Sequence, residues 1–228
     1  MKKSYGRTIW RSLNEYAVWQ PGSYVQIGDY GVMDNGCFKR IGNISEFIED
    51  LNFDLQKFQQ ESVTIKSDRS NDSWANLTAA VRLLIEYQKN FGVLLVIKDS
   101  QIESAINLQQ LSSTIAGSEK WNRSWFLVTT LRKASEYSLH ISKGKSAAIE
   151  GSAKDIEQFL QGNLQLSSSI SFKGDFALEI KGKDAPVSVG LHRLRRKGDS
   201  FRNLENIAPI AGEDILAPYY EAVAEEEE

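Results

Sequence analysis

The sequence predicts an α+β fold: a twisted, mostly antiparallel sheet carrying amphipathic hairpins, with several helices packed against it. Three observations carry that prediction. From Leu164 to Lys181, apolar residues fall on even positions (Leu164, Leu166, Ile170, Phe172, Phe176, Leu178, Ile180), and odd positions are polar except for Ala177. Period two marks a strand with one oily and one wet face, and Lys173-Gly174-Asp175 in its middle reads as a tight turn between two strands. A similar alternation surrounds Gly144, with Tyr137, Leu139 and Ile141 before it and Ala147 and Ile149 after it. Finally, the helical stretches are separated by strands without the crossover spacing of a repeated βαβ unit.

Taken in order, Arg7 to Val18 reads as a short helix with Ile9, Trp10, Leu13 and Ala17 on one side, stopped by Gln20-Pro21-Gly22. Tyr24 to Ile27 and Phe38 to Ile41 read as strands, with Asn35-Gly36 as the best hairpin signal. From Ile44, apolar residues at Phe47, Ile48, Leu51, Leu55 and Phe58 have helical spacing, with Phe53 off the stripe. Val63 and Ile65 suggest a short strand, and Lys66 to Ser73 a loop. The clearest helix is expected from Trp74 to Lys89, with Trp74, Leu77, Val81, Leu84 and Ile85 on one face.

Val93 to Ile97 is an unbroken apolar run of β-forming residues and reads as an interior strand. Gln101 to Leu111 is a weaker helix and Ser112 to Arg123 a loop. Ser124 to Leu131 is β-prone and leads into the Glu136–Ile149 pair. Ala153 to Leu160 is a short helix stopped by Gly162. After the Leu164–Lys181 pair, Val187, Val189 and Leu191 alternate in a last strand running to about Arg195. Residues 1–197 are thus expected to form one α+β domain. Residues 198–228 form a short acidic segment, partly disordered, ending in Glu225 to Glu228.

At 228 residues, with 41% hydrophobic and 25% charged residues, the chain can bury a substantial core. Its net charge of −3 arises from 27 basic and 30 acidic residues, so no nucleic-acid partner is expected. Cys37 is the single cysteine, which excludes an intramolecular disulfide and fits a reducing, cytoplasmic setting. Met1-Lys2-Lys3 is basic, but no apolar run follows it, so no secretory signal is expected.

Catalytic chemistry has little to draw on, and no enzyme is expected. The two histidines, His140 and His192, read as surface residues, and no Cys or carboxylate stands at metal-ligand spacing from them, so neither a metal nor a cofactor is expected. Cys37 reads as a strand residue packed inward; with Lys39 and Arg40 close by, a reactive or acylated thiol is the alternative. Glu46 with Glu49-Asp50 fits a helix start better than an acid pair. Trp121 and Trp125 read as core anchors, or else as aromatics at a sheet rim meeting lipid.

A strand of a soluble sheet and a strand of a membrane barrel share one alternation. The oily residues Leu139, Ile141, Leu166, Ile170, Phe172, Phe176 and Leu178 are the candidates for facing a membrane. Lys143, Lys145 and Lys173 at the tips would favour anionic lipid headgroups. Serine on the wet faces carries little desolvation cost compared with a charge.

The segments Trp125 to Leu131, Tyr137 to Ile141, Ser169 to Gly174 and Gly190 to Leu194 resemble the amino-terminal pore-forming domain of gasdermins in the order of their elements. The resemblance implies a self-associating protein that opens hairpins into membrane-spanning strands, here the Glu136–Glu150 and Gln165–Lys181 segments. It also implies an activating protease that cleaves away a restraining carboxy-terminal segment, here Gly198 to Glu228, and movement from the cytoplasm to the inner face of a membrane. An acylated cysteine near the amino terminus, common to bacterial members, has no counterpart other than Cys37. The competing reading is a soluble, non-catalytic structural or protein-binding module.

Overall fold

A computed structural model describes residues 1–49, 51–67, 70–77, 80–87, 91–143, 147–196 and 214–218. It contains a mixed α and β architecture dominated by antiparallel strands, with three α-helices among the described residues. The helices are fewer than the sequence reading expects, because several apolar stripes of helical spacing are strands.

The chain opens with α1 (Lys2–Leu13), ended by Asn14 in the left-handed region at φ 55°. It begins and ends earlier than expected, since Tyr16–Val18 forms strand β1. Gly6 lets this helix sit directly on the next hairpin: a Cβ there would lie 2.3 Å from the Gly36 carbonyl oxygen. β2 (Asp29–Asp34) and β3 (Cys37–Asn43) form the hairpin that Asn35-Gly36 predicts, both turn residues having positive φ. Tyr24 to Gln26 is irregular rather than a strand.

The expected helix from Ile44 is a single 3-10 turn (Ile44–Glu46), followed by strand β4 (Leu55–Gln60) and then β5 (Val63–Lys66). The expected helix from Trp74 is a hairpin of β6 (Ser70–Leu77) and β7 (Ala80–Tyr87). Val81, Leu83, Ile85 and Tyr87 also alternate, and pairing on two sides lets this period-two set prevail over the helical stripe. β8 (Val93–Ala105) contains the predicted interior strand and absorbs the start of the expected helix, so that α2 (Leu108–Ala116) takes in only the end of that helix and runs on into the expected loop. β9 (Phe126–Ser142) runs unbroken, and β10 (Ala147–Gly151) follows it. α3 (Ala153–Leu160) has the predicted bounds, capped by Ser152 and stopped by Gly162 at φ 96°. A 3-10 turn (Leu164–Ser168), β11 (Ser171–Lys173), the long β12 (Phe176–Arg196) and β13 (Asp214–Pro218) complete the order.

Two sheets result. The large one has nine strands, with β8, β9 and β12 at its centre, and it closes on itself through β12, β1, β3, β2 and β9; the β1–β3 pair is parallel. The small one has four strands in the order β11-β10-β7-β6. Neither predicted hairpin is a hairpin. β9 and β10 belong to different sheets, and so do β11 and β12, with Gly174-Asp175 carrying the chain from one to the other.

One core lies between α1 and the large sheet, built from Tyr5, Ile9, Leu95, Ile97, Tyr137, Leu139 and Ile141. A second lies on the opposite face under α3, where Leu94 and Val96 meet Ile149, Ile156, Phe159 and Ile170. β9 is therefore covered on both sides, and the Ser138, His140 and Ser142 face read as wet is buried. The even-numbered stripe of the sequence is also split. A bulge between Phe176 and Leu178 shifts the register against β9, so Phe176 joins Phe172 on the α3 side and Leu178 joins Ile180 on the α1 side.

Candidate functional site

Four neighbouring strands of the large sheet have chain continuations in the four strands of the small one, the two sets forming a ribbon that meets at a crease. In the large sheet the strands β5, β8, β9 and β12 are neighbours in that order. In the small sheet β6, β7, β10 and β11 are neighbours in the matching order, each being the chain continuation of its counterpart. Hydrogen bonds run along the crease itself: Ser67 N–H to the Val93 carbonyl (3.0 Å), Ser142 N–H to the Gly92 carbonyl (2.9 Å) and Lys143 N–H to the Asp175 carbonyl (2.7 Å). The Ser142 hydroxyl accepts a further bond from Gly92 N–H at 2.9 Å. Hydrogen bonding between these four strands thus continues past the large-sheet ladders up to the crease.

Within the small sheet, the register aligns Trp74, Leu83, Ile149 and Phe172 in one apolar row. The neighbouring row, on the opposite face, holds Ala75, Arg82, Glu150 and Ser171. Ile149 and Phe172 of the apolar row pack toward Leu94 and Val96 of the large sheet, with α3 filling the angle. Phe159 and Ile156 of α3 are fully buried there, and the Thr64 hydroxyl of β5 donates to the Leu160 carbonyl at the helix end.

His140 sits in the floor of this angle, 1% exposed. Its ring stacks on Phe172 at 4.0 Å between centroids, with Phe159 and Phe176 edge-on at 6.3 and 5.9 Å. Nε2 shares a hydrogen bond with the Ser138 hydroxyl at 2.7 Å, while Nδ1 has no partner among the described residues. Burial, with a smaller contribution from Lys181, pushes its pKa down to about 4. The sequence reading missed this residue because serines on either side made its face look solvated. The signal available was the phenylalanines at 159, 172 and 176, which need a common partner.

Of the residues picked out for membrane contact, Leu139 and Ile141 lie fully buried against the α1 core, and Leu178 packs on its edge. Ile170, Phe172 and Phe176 line the α3 side. Leu166 lies in the 3-10 turn before β11. Lys143 and Lys173 are exposed beside the crease, and Lys145 lies outside the described residues.

The other candidates take structural places. Cys37 is fully buried with its thiol pushed up to about 12 by desolvation, so it is not an activated nucleophile in this state. His192 is half-buried rather than at the surface, 2.6 Å from the Thr129 hydroxyl, and burial lowers its pKa to about 4. Glu46 reaches back to Asn43 N–H at 2.8 Å, closing a capping box. Trp121 and Trp125 stack with Tyr30 and Phe47 in an aromatic cluster. No group of three or more His, Cys, Asp or Glu side chains is placed to hold a metal among the described residues. An open groove along α3 is lined by Ala153, Glu157, Leu160 and Gln161, with a single carboxylate. No helix among the described residues is long and apolar enough to cross a membrane.

No protein-family model matches the chain, and no curated protein does. Among the solved structures that resemble it, two do so over most of its length. The gasdermin A3 membrane pore is 10% identical, with a TM-score of 0.37, over 96% of this chain and 94% of that one. A bacterial gasdermin from Bradyrhizobium tropiciagri is 12% identical, with a TM-score of 0.35, over 91% of each chain.

Proposed function

We propose that this chain is a membrane-active, self-associating protein that forms a pore by straightening its crease. The observation that carries the reading is the matching strand order on the two sides of the crease. Strands that cross a bilayer need about 9 to 11 residues. Taken alone, the small-sheet strands have only 8, 8, 5 and 3 residues. Their partners in the large sheet include β8 with 13 residues, β9 with 17 and β12 with 21, so β7, β10 and β11 reach spanning length once joined in line with them.

Local sequence supports the same change. Leu164, Leu166, Ile170 and Phe172 stand at even positions, yet Leu164–Ser168 folds as a 3-10 turn. A period-two pattern held in helical form is a conflict between local preference and packing, which is expected of a segment with a second conformation. The exposed Lys143 and Lys173 beside the crease suit anionic headgroups. In the small sheet β6 and β11 are the end strands, and an edge strand is a template for a second copy.

Strand β13 pairs with His192 to Arg196 of β12, at the end remote from the crease. The cover that must leave first is therefore α3, and cleavage of the segment after Arg196 acts from the far end. The test is dye release from vesicles containing phosphatidylserine, using the full chain and a chain ended at Arg196. In a Cys37→Ala background, fluorophores placed by Phe172→Cys and Ser171→Cys report orientation. Release is expected, with the label at 172 reached by a lipid-borne quencher and the label at 171 shielded from it. A folded protein that releases nothing in either form, with both labels staying out of lipid, refutes the reading.

A further inference from the structure

We infer that His140 makes the crease acid-sensitive: protonation drives its imidazole out of the Phe159, Phe172 and Phe176 enclosure and releases α3 and β11 from the large sheet. The geometry is that of a titratable ring used as packing. Three phenylalanines surround it, and its one hydrogen bond goes to Ser138. Whichever nitrogen carries the proton in the neutral ring, the doubly protonated ring holds one N–H, that of Nδ1, without an acceptor. If Nε2 donates to Ser138, the new N–H is on the unpartnered Nδ1; if Nδ1 holds the first proton, that N–H is already unsatisfied. A buried imidazolium with an unmet donor is costly, and cation–π attraction to the stacked Phe172 offsets only part of that cost.

The charged groups around the ring do not rescue it. Lys181 on β12 opposes the added charge. Glu179 on β12 and Lys66 on β5 share the cross-strand row of His140, and the Glu179 side chain is turned out to water. Lys173 on β11 is exposed, and on α3 Lys154 and Glu157 are exposed while Asp155 stands in the first turn at the capped end. Relief therefore comes by moving the ring to solvent. That motion must displace Phe172 of β11 and Phe159 of α3, since these two rings close the enclosure from above.

The sign follows from the depressed folded value. The closed state holds the neutral ring, so its advantage is complete above the ordinary histidine value near 6.5 and drains away as pH falls toward about 4. Between pH 7.4 and pH 5 the open fraction of the crease is expected to rise about 30-fold.

Hydrogen exchange on the full chain measures this without a membrane, so its outcome is separate from that of vesicle leakage at neutral pH. Corrected for intrinsic exchange, protection of the α3 amides Ile156 and Gln161 is expected to fall by that factor, while amides of the β2–β3 hairpin hold. His140→Phe, which keeps the stack and removes the proton, should hold α3 protection across the range, and His192→Asn should leave the loss intact. In the unaltered protein, the His140 ring should stay neutral by NMR down to about pH 5. An ordinary titration of that ring near 6.5 with α3 still protected, an equal loss of protection in His140→Phe, or a loss spread evenly over the whole molecule would each overturn the inference.

Discussion

Glu15 and Arg132 are where a single side chain matters most. The Arg132 guanidinium, 5% exposed, donates to both Glu15 oxygens at 2.7 and 2.9 Å and also reaches Gln60 and Ser100. Ser188 of β12 donates to the same carboxylate, so residues from four strands and the end of α1 meet on one ion pair. Removing one partner strands a buried charge: Glu15→Ala is expected to lower unfolding stability by about 3–5 kcal/mol in urea titrations, and Arg132→Met on top of it should return part of that loss. Cys37 gives a milder case. With its thiol at about 12, labelling by a thiol reagent at pH 8 should proceed no faster than unfolding exposes it, a rate that denaturant should raise in step with the unfolded fraction. Neither residue's partners could be read from the chain, because Glu15 lies far along the sequence from Arg132 and Ser188 and only the sheet brings them together.

At the scale of elements, what was legible depended on whether the signal was local. α3 was read to its bounds because a serine cap, an amphipathic turn and a stop glycine all lie within it. The Asn35-Gly36 hairpin was legible for the same reason. The Trp74 hairpin was not, since Val81, Leu84 and Ile85 fit a helical stripe as well as a strand, and the strand's advantage comes from pairing with residues 147–151. Alternation around Gly144 and Gly174 was visible, but not that each marks a passage between sheets. Nor did it show the bulge at Phe176 that sends half the oily stripe to the other core. Because α3 is the cover over the crease, its cap is a lever: Ser152→Ala should cost the helix about 1 kcal/mol, seen as a several-fold drop in α3 exchange protection and a faster onset of vesicle leakage.

For the whole molecule, the proposed membrane attraction would rest on few charges, since the chain carries a net charge of −3. Lys143 and Lys173 are exposed near the crease, so each change to Gln should weaken binding to phosphatidylserine vesicles by about 1 kcal/mol, roughly fivefold, in co-sedimentation at physiological salt. Binding to neutral vesicles should barely change. The matching order of strands on either side of the bend has one more consequence. Were the ribbon to flatten as proposed, none of its four strands would have to trade neighbours within it. The barrier between the two shapes would then be one of unpacking, set by a few phenyl rings and one short helix, and far lower than that of a rearrangement in which the sheet must be dismantled and rebuilt.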